Sequence, residues 1–388
     1  MTNSSRIEVG NNNIIKKDMK IYKILMTIFT VGLLFSCENK EVTYPDFDYT
    51  TVYFASQYPL RTLELGEDSE IDNTLDNEHK VRITATMGGV YSNSVDRIIN
   101  FEIDETLCDG VSFVDAPTDL VPMPANYYNL ESGQIIIKSG NILGGVVVEL
   151  TDAFFEDPLA IDQHYVIPVL MTSVVNADSI LSGQASSSVE NPNRMVSNDW
   201  VIMPKDYVLY AIKYVNPWHA IYLRRGEDVI TKDGVTTTSV RHKEYVEYDE
   251  VTNLATLSMT ETEFFPSGYI NYNGTILNVP VKIAINERDE CSINIINNSV
   301  QVNDSVNVYN ITASGIGNYV VKGEKNSLGG VDRNAFYLDY EVGFEVENTF
   351  PKSGKPTIYE TQHYTTKDTL VCRNRGIVAD YYDVNVVE

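Results

Sequence analysis

Ile99-Asn100-Phe101-Glu102-Ile103 alternates apolar with polar side chains, which is the period-two pattern of a strand with one buried face. On the C-terminal side of this stretch, residues 134–138 and 146–150 are short runs rich in β-branched residues, bounded by glycine-containing turns. Tyrosine, another strand-favouring residue, occurs 25 times in the 388 residues. The chain is therefore predicted to be all-β.

Residues 49–181 are predicted to form the first domain, an antiparallel β-sandwich. Pro168 lies in the middle of the strand-like run 165–170 and cannot donate a backbone hydrogen bond, which indicates a sheet edge or a bulge. The main helical candidate, residues 151–162, is short and interrupted by Pro158.

Residues 182–203 are rich in Ser, Asn, Gly and Pro and are predicted to be a linker. Residues 204–388 carry a second series of strand patterns separated by turn signals such as Asn273-Gly274, which predict successive hairpins. An antiparallel meander that closes on itself leaves no exposed edge strands. A barrel-like second domain is therefore favoured, with a second sandwich as the alternative.

Residues 1–36 have the features of a lipoprotein signal peptide, with Met19 as an alternative start. Four lysines precede an apolar run, residues 24–35, that is too short to span a bilayer of ~20 helical positions. The run ends at Ser36-Cys37, where a small residue precedes a thiol. Cys37 is therefore predicted to be the lipidated first residue of the mature protein, followed by a tether over residues 37–48.

The acidic stretch behind Cys37, residues 38–41, resembles the export tag of surface lipoproteins of the Bacteroidota. The resemblance implies an outer-membrane location with the protein facing the cell exterior. The lipid is expected to be the chain's only contact with the membrane.

The formal net charge of −25, from 54 acidic and 29 basic residues, disfavours binding to nucleic acid and to anionic lipid. The five histidines are scattered, and no zinc-ligand spacing, nucleophile elbow or dinucleotide fingerprint occurs. No metal, cofactor or catalytic residue is therefore predicted. Sequence alone leaves open a pair of glycosidase carboxylates, because acids are plentiful.

Glycan binding requires exposed aromatic faces flanked by amides, carboxylates or guanidinium groups. Tyr269 and Tyr272 lie among turn-forming residues in the stretch 264–274, and Trp218 follows Pro217 at the start of a strand. These three are the glycan-binding candidates, and each of them has burial in the core as its alternative. In so acidic a chain, Arg224-Arg225 and Arg373-Asn374-Arg375 are expected to pair with internal acids instead of binding a ligand.

Two longer segments carry a family resemblance. Val121-Pro122-Met123-Pro124-Ala125-Asn126-Tyr127-Tyr128-Asn129-Leu130, with residues 134–138, 157–158 and 165–169, resembles the DUF1735 domain. Residues 216–226 with residues 368–375 resemble its companion, DUF4361. The resemblance implies an Ig-like first domain and a β-rich second domain in surface lipoproteins of polysaccharide-utilisation loci. It provides no catalytic motif.

The sequence therefore predicts a non-enzymatic, surface-anchored lipoprotein that binds a polysaccharide or oligosaccharide, with an outer-membrane glycan importer as a possible partner complex. A structural or assembly subunit of a surface or fimbrial complex is the alternative, since it also needs a lipid anchor and tandem β domains. A divergent glycoside hydrolase is the third reading.

Overall fold

The computed structural model describes residues 47, 49–68, 71–115, 118–350, 353–378 and 380–386. The predicted signal peptide, Cys37 and nearly all of the predicted tether lie outside the described residues. The chain divides into two compact units, residues 1–47 and 48–388. The architecture below is that of the second unit.

Helices are few and short in the described part of the chain. The α-helices are α1 (Thr74–Asn77) and α2 (Asp152–Phe155), and the 3₁₀ turns are Glu105–Cys108, Pro158–Ile161, Ser197–Asp199, Val246–Tyr248 and Leu328–Gly330. The interrupted helix expected over residues 151–162 is confirmed, since α2 ends before the turn that Pro158 begins. Among the described residues, no helix has the length and apolar character needed to cross a membrane.

Strands make up most of the fold. The strands up to residue 215 are β1 (Thr51–Tyr53), β2 (Pro59–Glu64), β3 (Lys80–Gly88), β4 (Arg97–Ile103), β5 (Val111–Phe113), β6 (Val121–Pro122), β7 (Tyr128–Leu130), β8 (Gln134–Ile137), β9 (Leu143–Leu150), β10 (Tyr165–Val175), β11 (Ser179–Ile180), β12 (Gln184–Ala185), β13 (Trp200–Ile202) and β14 (Tyr207–Val215). The later strands are β15 (Ala220–Lys232), β16 (Val235–Arg241), β17 (Glu250–Ser258), β18 (Glu261–Phe264), β19 (Val281–Ile285), β20 (Glu290–Ile295), β21 (Ser299–Asn303), β22 (Val306–Glu324), β23 (Arg333–Asn348), β24 (Ile358–Asn374), β25 (Asp380–Tyr381) and β26 (Val384–Val386).

The first half of the unit is a sandwich of two sheets. One sheet has the order β11-β1-β3-β9-β7, and the other has the order β25-β2-β14-β10-β4-β8, with β6 also paired to β10. Alternation directs Ile99 and Phe101 of β4 into the shared core, where they pack with Ile83, Val146 and Ile167. The predicted sandwich is confirmed.

Pro168 lies on a central strand, so the expectation of a sheet edge is wrong. β10 pairs with β14 on one side and with β4 on the other. The Pro168 carbonyl accepts a hydrogen bond from the backbone N–H of Asp104, the residue that follows the end of β4. The Pro168 nitrogen points to the same side, where β4 has no further residue to bond to it. A proline is tolerated here because β4 has already ended.

Strand β14 belongs to the sandwich, although the sequence analysis placed residues 204–388 in the second domain. It runs antiparallel to β10 and parallel to β2. Its inward side chains Val208, Ile212 and Tyr214 join the sandwich core. The polar stretch 182–203 is therefore an excursion within the sandwich region, and the chain enters the barrel only after Val215.

The second half is a closed antiparallel barrel. Neighbouring strands follow the order β15-β17-β18-β19-β20-β22-β23-β24, and β24 pairs again with β15 over residues 221–232. Strand β16 extends the upper part of β15 as a hairpin, and β21 pairs with β22. Of the two architectures left open for this region, the structure has the barrel.

The sandwich and the barrel meet at a junction formed by residues 65–68, 71–77, 215–219 and 372–376. A Cβ on Gly66, whose φ is +88°, would lie 2.6 Å from the Cβ of Pro217, so glycine is required for this approach. The fully buried Asn216 donates to the carbonyls of Ser258 and Glu261. Both hydrogens of the buried Asn216 side-chain amide are thereby paired.

His219 gives the junction a pH dependence. Its Nδ1 accepts a hydrogen bond from the Thr256 backbone N–H at 3.1 Å, so the ring is neutral in this arrangement. Burial, with smaller contributions from Arg375 and Lys213, lowers the pKa of His219 from 6.5 to about 4. Below pH 6.5, His219 is therefore protonated in the unfolded chain but stays neutral in the folded chain until about pH 4.

We expect the free energy of unfolding of the wild type to fall as the pH drops through that window, and to fall less in His219→Asn. The asparagine Oδ1 can accept the Thr256 hydrogen bond but does not titrate. Urea unfolding of both proteins at several pH values measures the two slopes. Equal slopes would show that His219 is not a source of the pH dependence.

Candidate functional site at the distal end of the barrel

The structure separates the three aromatic candidates. Trp218 is 9% exposed and lies in the barrel core edge-to-face with Tyr319, and Tyr269 is 1% exposed. The Tyr269 ring packs against Tyr364, with 4.3 Å between the ring centroids. Both rings fill the barrel interior and present no face to a ligand, so both expectations are corrected. Tyr272, by contrast, is 46% exposed.

Tyr272 lies at the distal end of the barrel, which we define by residues 270–276, 303–306, 348–350 and 353. This end is opposite the junction, because β23 runs from Arg333 near the junction to Asn348 here. At ~3.3 Å per residue, this 16-residue strand is roughly 50 Å long, so the two ends lie far apart even with the tilt that barrel strands have.

The turn that carries Tyr272 is built by asparagine side chains. Asn271 Oδ1 accepts from the backbone N–H groups of Asn273, at 3.1 Å, and of Thr275, at 2.9 Å. Gly274 follows with a φ of +86°, which glycine adopts without strain. These bonds turn the chain back on itself and leave the Tyr272 ring outside the core.

A buried polar cluster supports this turn from inside the barrel. Asn271 Nδ2 donates to Asn348 Oδ1 at 2.6 Å, and Asn348 Nδ2 donates to Glu360 Oε2 at 3.1 Å. The same carboxylate oxygen accepts the Tyr272 backbone N–H at 3.1 Å. Asn271, Asn348 and Glu360 come from three separate segments, and all are almost fully buried. The other Glu360 oxygen, Oε1, makes no hydrogen bond but lies 2.9 Å from the Lys232 ammonium group. Buried polar networks of this kind fix the position of the groups that they hold.

Replacing Asn271 with alanine is expected to cost about 2–3 kcal/mol of unfolding free energy, because buried partners lose their hydrogen bonds. The matched control is Asn273→Ala in the same turn. Asn273 is exposed, and its side chain bonds only to Thr275. Thermal unfolding of the two variants compares them directly. A loss no larger for Asn271→Ala than for Asn273→Ala would contradict a supporting role for the buried cluster.

The exposed face of this end combines aromatic and polar groups around a cavity of about 490 Å³. Phe350 lines the cavity, and its ring centroid is 6.5 Å from that of Tyr272 in an edge-to-face arrangement. The polar lining residues are Asn273, Asp304, Ser305, Asn348, Thr349 and Ser353. The volume falls in the range of small-molecule sites, about 300–1,000 Å³. Ring faces beside amide, hydroxyl and carboxylate groups are the chemistry that holds a sugar.

Sequence reasoning had identified only Tyr272 of this set. Asn271 and Asn273 both precede Gly274 in the same turn motif, so this spacing was an available signal of the turn that carries Tyr272. Phe350, Asn348 and Glu360 come from the ends of β23 and β24, and no local pattern indicates that they meet Tyr272.

The arginine pair in β15 is confirmed to pair with internal acids. Arg224 donates from Nε to Asp368 Oδ2 at 2.8 Å and lies 3.2 Å from a Glu250 oxygen. Arg225 Nε donates to Asp249 at 2.5 Å. Burial alone would lower the pKa of Arg224, but Tyr340, Asp368 and Glu250 raise it above its ordinary value. We expect this group to stay charged and structural.

The second arginine group departs from that expectation. Arg375 donates to the backbone carbonyls of Leu65 and Asn216, both at 2.9 Å, and so ties the sandwich to the barrel. Within the described residues, Arg373 forms no ion pair with an acid. In this segment, backbone carbonyls have taken the place of the expected carboxylates.

The described residues contain no group of three or more His, Cys, Asp or Glu side chains placed to hold a metal ion. Burial raises the pKa of the Cys108 thiol and of the Cys291 thiol to about 12. These thiols are therefore unreactive near neutral pH.

Comparison with known proteins relates this architecture to a family. Residues 217–376, essentially the barrel, match a domain of unknown function, DUF5627, and residues 47–178 match a model of an N-terminal domain. DUF5627 replaces the DUF4361 assignment of the sequence analysis, which rested on loose strand-and-turn motifs. None of the curated proteins matches the chain.

A solved structure from Bacteroides ovatus, of unknown function, is 45% identical and covers 88% of this chain and 100% of its own, with a TM-score of 0.77. The fold therefore defines a class of protein in which a β-sandwich is followed by an antiparallel β-barrel. The chain belongs to the same family as this Bacteroides ovatus protein, a family of unknown function.

Two further solved structures are more remote. A multidomain protein including DUF1735 from Bacteroides ovatus is 11% identical and covers 85% of this chain and 97% of its own, with a TM-score of 0.35. An auxiliary nutrient binding protein from Bacteroides thetaiotaomicron is 12% identical over 82% of this chain and 92% of its own, with a TM-score of 0.34. Scores this low support no inference about this chain.

Proposed function

We propose that the protein binds a polysaccharide or oligosaccharide at the distal end of its barrel. The observation that carries this proposal is the exposed Tyr272 ring, which packs edge-to-face on Phe350, together with a cavity of about 490 Å³ that Phe350 lines with amide and hydroxyl groups. The apolar C–H face of a sugar stacks on such a ring, and its hydroxyls exchange hydrogen bonds with the lining. The buried Asn271, Asn348 and Glu360 would hold the ring in place before the sugar arrives.

The proposal includes attachment to the outer membrane through a lipid on Cys37, with the protein facing the cell exterior. It rests on the sequence of residues 16–41. A tethered sandwich would then carry the barrel, and the distal end would be the barrel end away from the sandwich. An outer-membrane glycan importer is the partner that would receive the captured sugar.

We propose binding without hydrolysis. Glycoside hydrolysis ordinarily uses two carboxylates on either side of the scissile bond. Among the described residues that line the distal cavity, Asp304 is the only carboxylate. The cavity thus offers groups that hold a sugar, with a single acid.

The assembly-subunit alternative would use a free strand to pair with a neighbouring protein. The last described strands are already paired inside this chain, β25 with β2 and β26 with β5. This arrangement gives the alternative no support.

The test is affinity gel electrophoresis of the protein spanning residues 38–388 against neutral plant, microbial and host polysaccharides. Release of reducing ends is assayed in the same samples. Retardation without new reducing ends is the expected result. New reducing ends would overturn the non-catalytic part of the proposal, and the absence of retardation on every glycan would overturn the binding part.

A further inference from the structure

A second cavity, of about 740 Å³, lies at the junction of sandwich and barrel. Its walls come from Glu67, Asp68, Asn73 and Asn77 on the sandwich side and from the junction ends of β22, β23 and β24 on the barrel side. Four basic side chains line it: Lys322, Arg333, Arg373 and Arg375. We call this cavity the junction cleft.

The charge balance of the junction cleft is opposite to that of the chain. The whole sequence has 54 acidic and 29 basic residues, whereas the cleft lining has four basic residues against the three acids Glu67, Asp68 and Asp332. Asp332 is already engaged by the Asn326 backbone N–H at 3.1 Å and by Lys325 at 3.0 Å. These two contacts, with a smaller contribution from the charge of Lys322, lower the pKa of Asp332, so its charge is compensated mainly from outside the cleft.

None of the four cations forms an ion pair with a carboxylate in the described part of the chain, although the charge of Arg375 acts on the buried Glu64 and that of Lys322 acts on Asp332. Arg333 donates to the carbonyls of Leu328 and Arg373, at 3.1 and 3.2 Å, and Arg375 donates to those of Leu65 and Asn216. Arg373 and Lys322 use neither the guanidinium nor the ammonium group in any hydrogen bond or ion pair within those ranges. Charged groups of one sign are thus collected in a concave site, and the side-chain donors of Arg373 and Lys322 are unused.

Arg375 adds a buried donor to this wall. The residue is only 9% exposed, and its Nε has no hydrogen-bond partner among the described residues. A buried donor without a partner costs free energy unless a ligand or solvent compensates it. An anion in the cleft would lower this cost through its charge, even without direct contact with the Nε.

We propose that the junction cleft is a second binding site, for a saccharide that carries a carboxylate, namely a hexuronic acid unit. Guanidinium groups pair with carboxylates in a bidentate geometry, and the volume of the cleft fits one or a few sugar units. The described lining of the distal cavity contains no basic side chain, so the two sites would select different sugars. This inference does not rest on binding at the distal end.

The experiment titrates the protein spanning residues 38–388 with an oligogalacturonate and with its methyl ester, which has the same sugars without the charges. The acid is expected to bind at least about tenfold more tightly than the ester. Its carboxylate can accept two charge-assisted hydrogen bonds from a guanidinium group, whereas the ester carries no charge. Arg373→Gln is expected to weaken binding of the acid by about tenfold. Its thermal unfolding should match the wild type, since the guanidinium has no partner to lose.

The matched control is Lys243→Gln, which removes one exposed cation from the connection between β16 and β17, outside the cleft lining. It should leave binding of the acid unchanged. Equal binding of acid and ester, an equal loss in both variants, or no binding of either sugar would each overturn the proposal. Retention on neutral polysaccharides is measured separately, so failure at one site is distinguishable from failure at the other.

Discussion

Replacing Asp368 with alanine is expected to lower the free energy of unfolding by about 3–5 kcal/mol, the usual cost of removing one partner of a buried ion pair. The Asp368 side chain is fully buried inside the barrel and accepts from Arg224 at 2.8 Å, from Arg241 at 2.9 Å and from the Tyr340 hydroxyl at 2.8 Å. Asp228 still pairs with Arg241, but Arg224 would keep only the partly exposed Glu250 as an ionic partner. A buried guanidinium would then be largely uncompensated.

Urea unfolding measures this loss, with Asp339→Ala as the matched control. Asp339 is the register partner of Lys367 on the adjacent strand and is exposed, and its ion pair with Lys367 is long, at 3.4 Å. Removing such a surface pair typically costs about 0–1 kcal/mol. Asp368→Asn keeps the shape of the side chain but loses its charge, so this variant should also be less stable than the wild type. Similar losses of unfolding free energy in the Asp368 and Asp339 variants would contradict the view that the buried ion pairs of Asp368 stabilise the barrel.

Replacing Tyr272 with alanine is expected to weaken binding of the retained neutral glycan by about tenfold or more, since the sugar loses its stacking surface. The side chain is 46% exposed, and only its backbone N–H bonds to Glu360, which the substitution preserves. Thermal unfolding should therefore change little. Affinity gel electrophoresis over a range of glycan concentrations gives the dissociation constants.

Tyr248→Ala is the control for Tyr272. Tyr248 is 71% exposed and lies on the 3₁₀ turn before β17, outside the lining of the distal cavity. Its loss removes an exposed ring of the same kind and should leave binding unchanged. If both variants bind as the wild type does, Tyr272 does not contact the sugar. If both lose affinity equally, the binding does not depend on the distal end.

Local pattern was enough to predict the sheets and the short helix. A strand with one buried face must alternate, so residues 99–103 revealed both the element and its inward side chains, Ile99 and Phe101. Closure of the barrel is different, because it depends on pairing residues 221–232 with 362–374, which are more than a hundred positions apart. The sequence could favour closure only through the general need to protect sheet edges.

At the candidate site, local composition does not predict which aromatic side chains are exposed. Tyr269 and Tyr272 stand three residues apart in the same turn-rich stretch, yet one ring lies in the barrel core and the other is exposed. Contacts with β23 and β24 decide which is which, because Tyr269 packs on Phe344 and Tyr364 and the Tyr272 backbone bonds to Glu360. These contacts are long-range in sequence. The partners of Arg375 are likewise backbone carbonyls from two distant segments, which no residue pattern encodes.

Hydrogen exchange with and without the retained neutral glycan tests the central claim, that the distal end of the barrel is the glycan site. We predict that the sugar slows exchange of backbone amides in residues 271–276 and 303–306, with Tyr272→Ala abolishing the effect. Protection confined to other parts of the protein, with these segments unchanged, would contradict the claim.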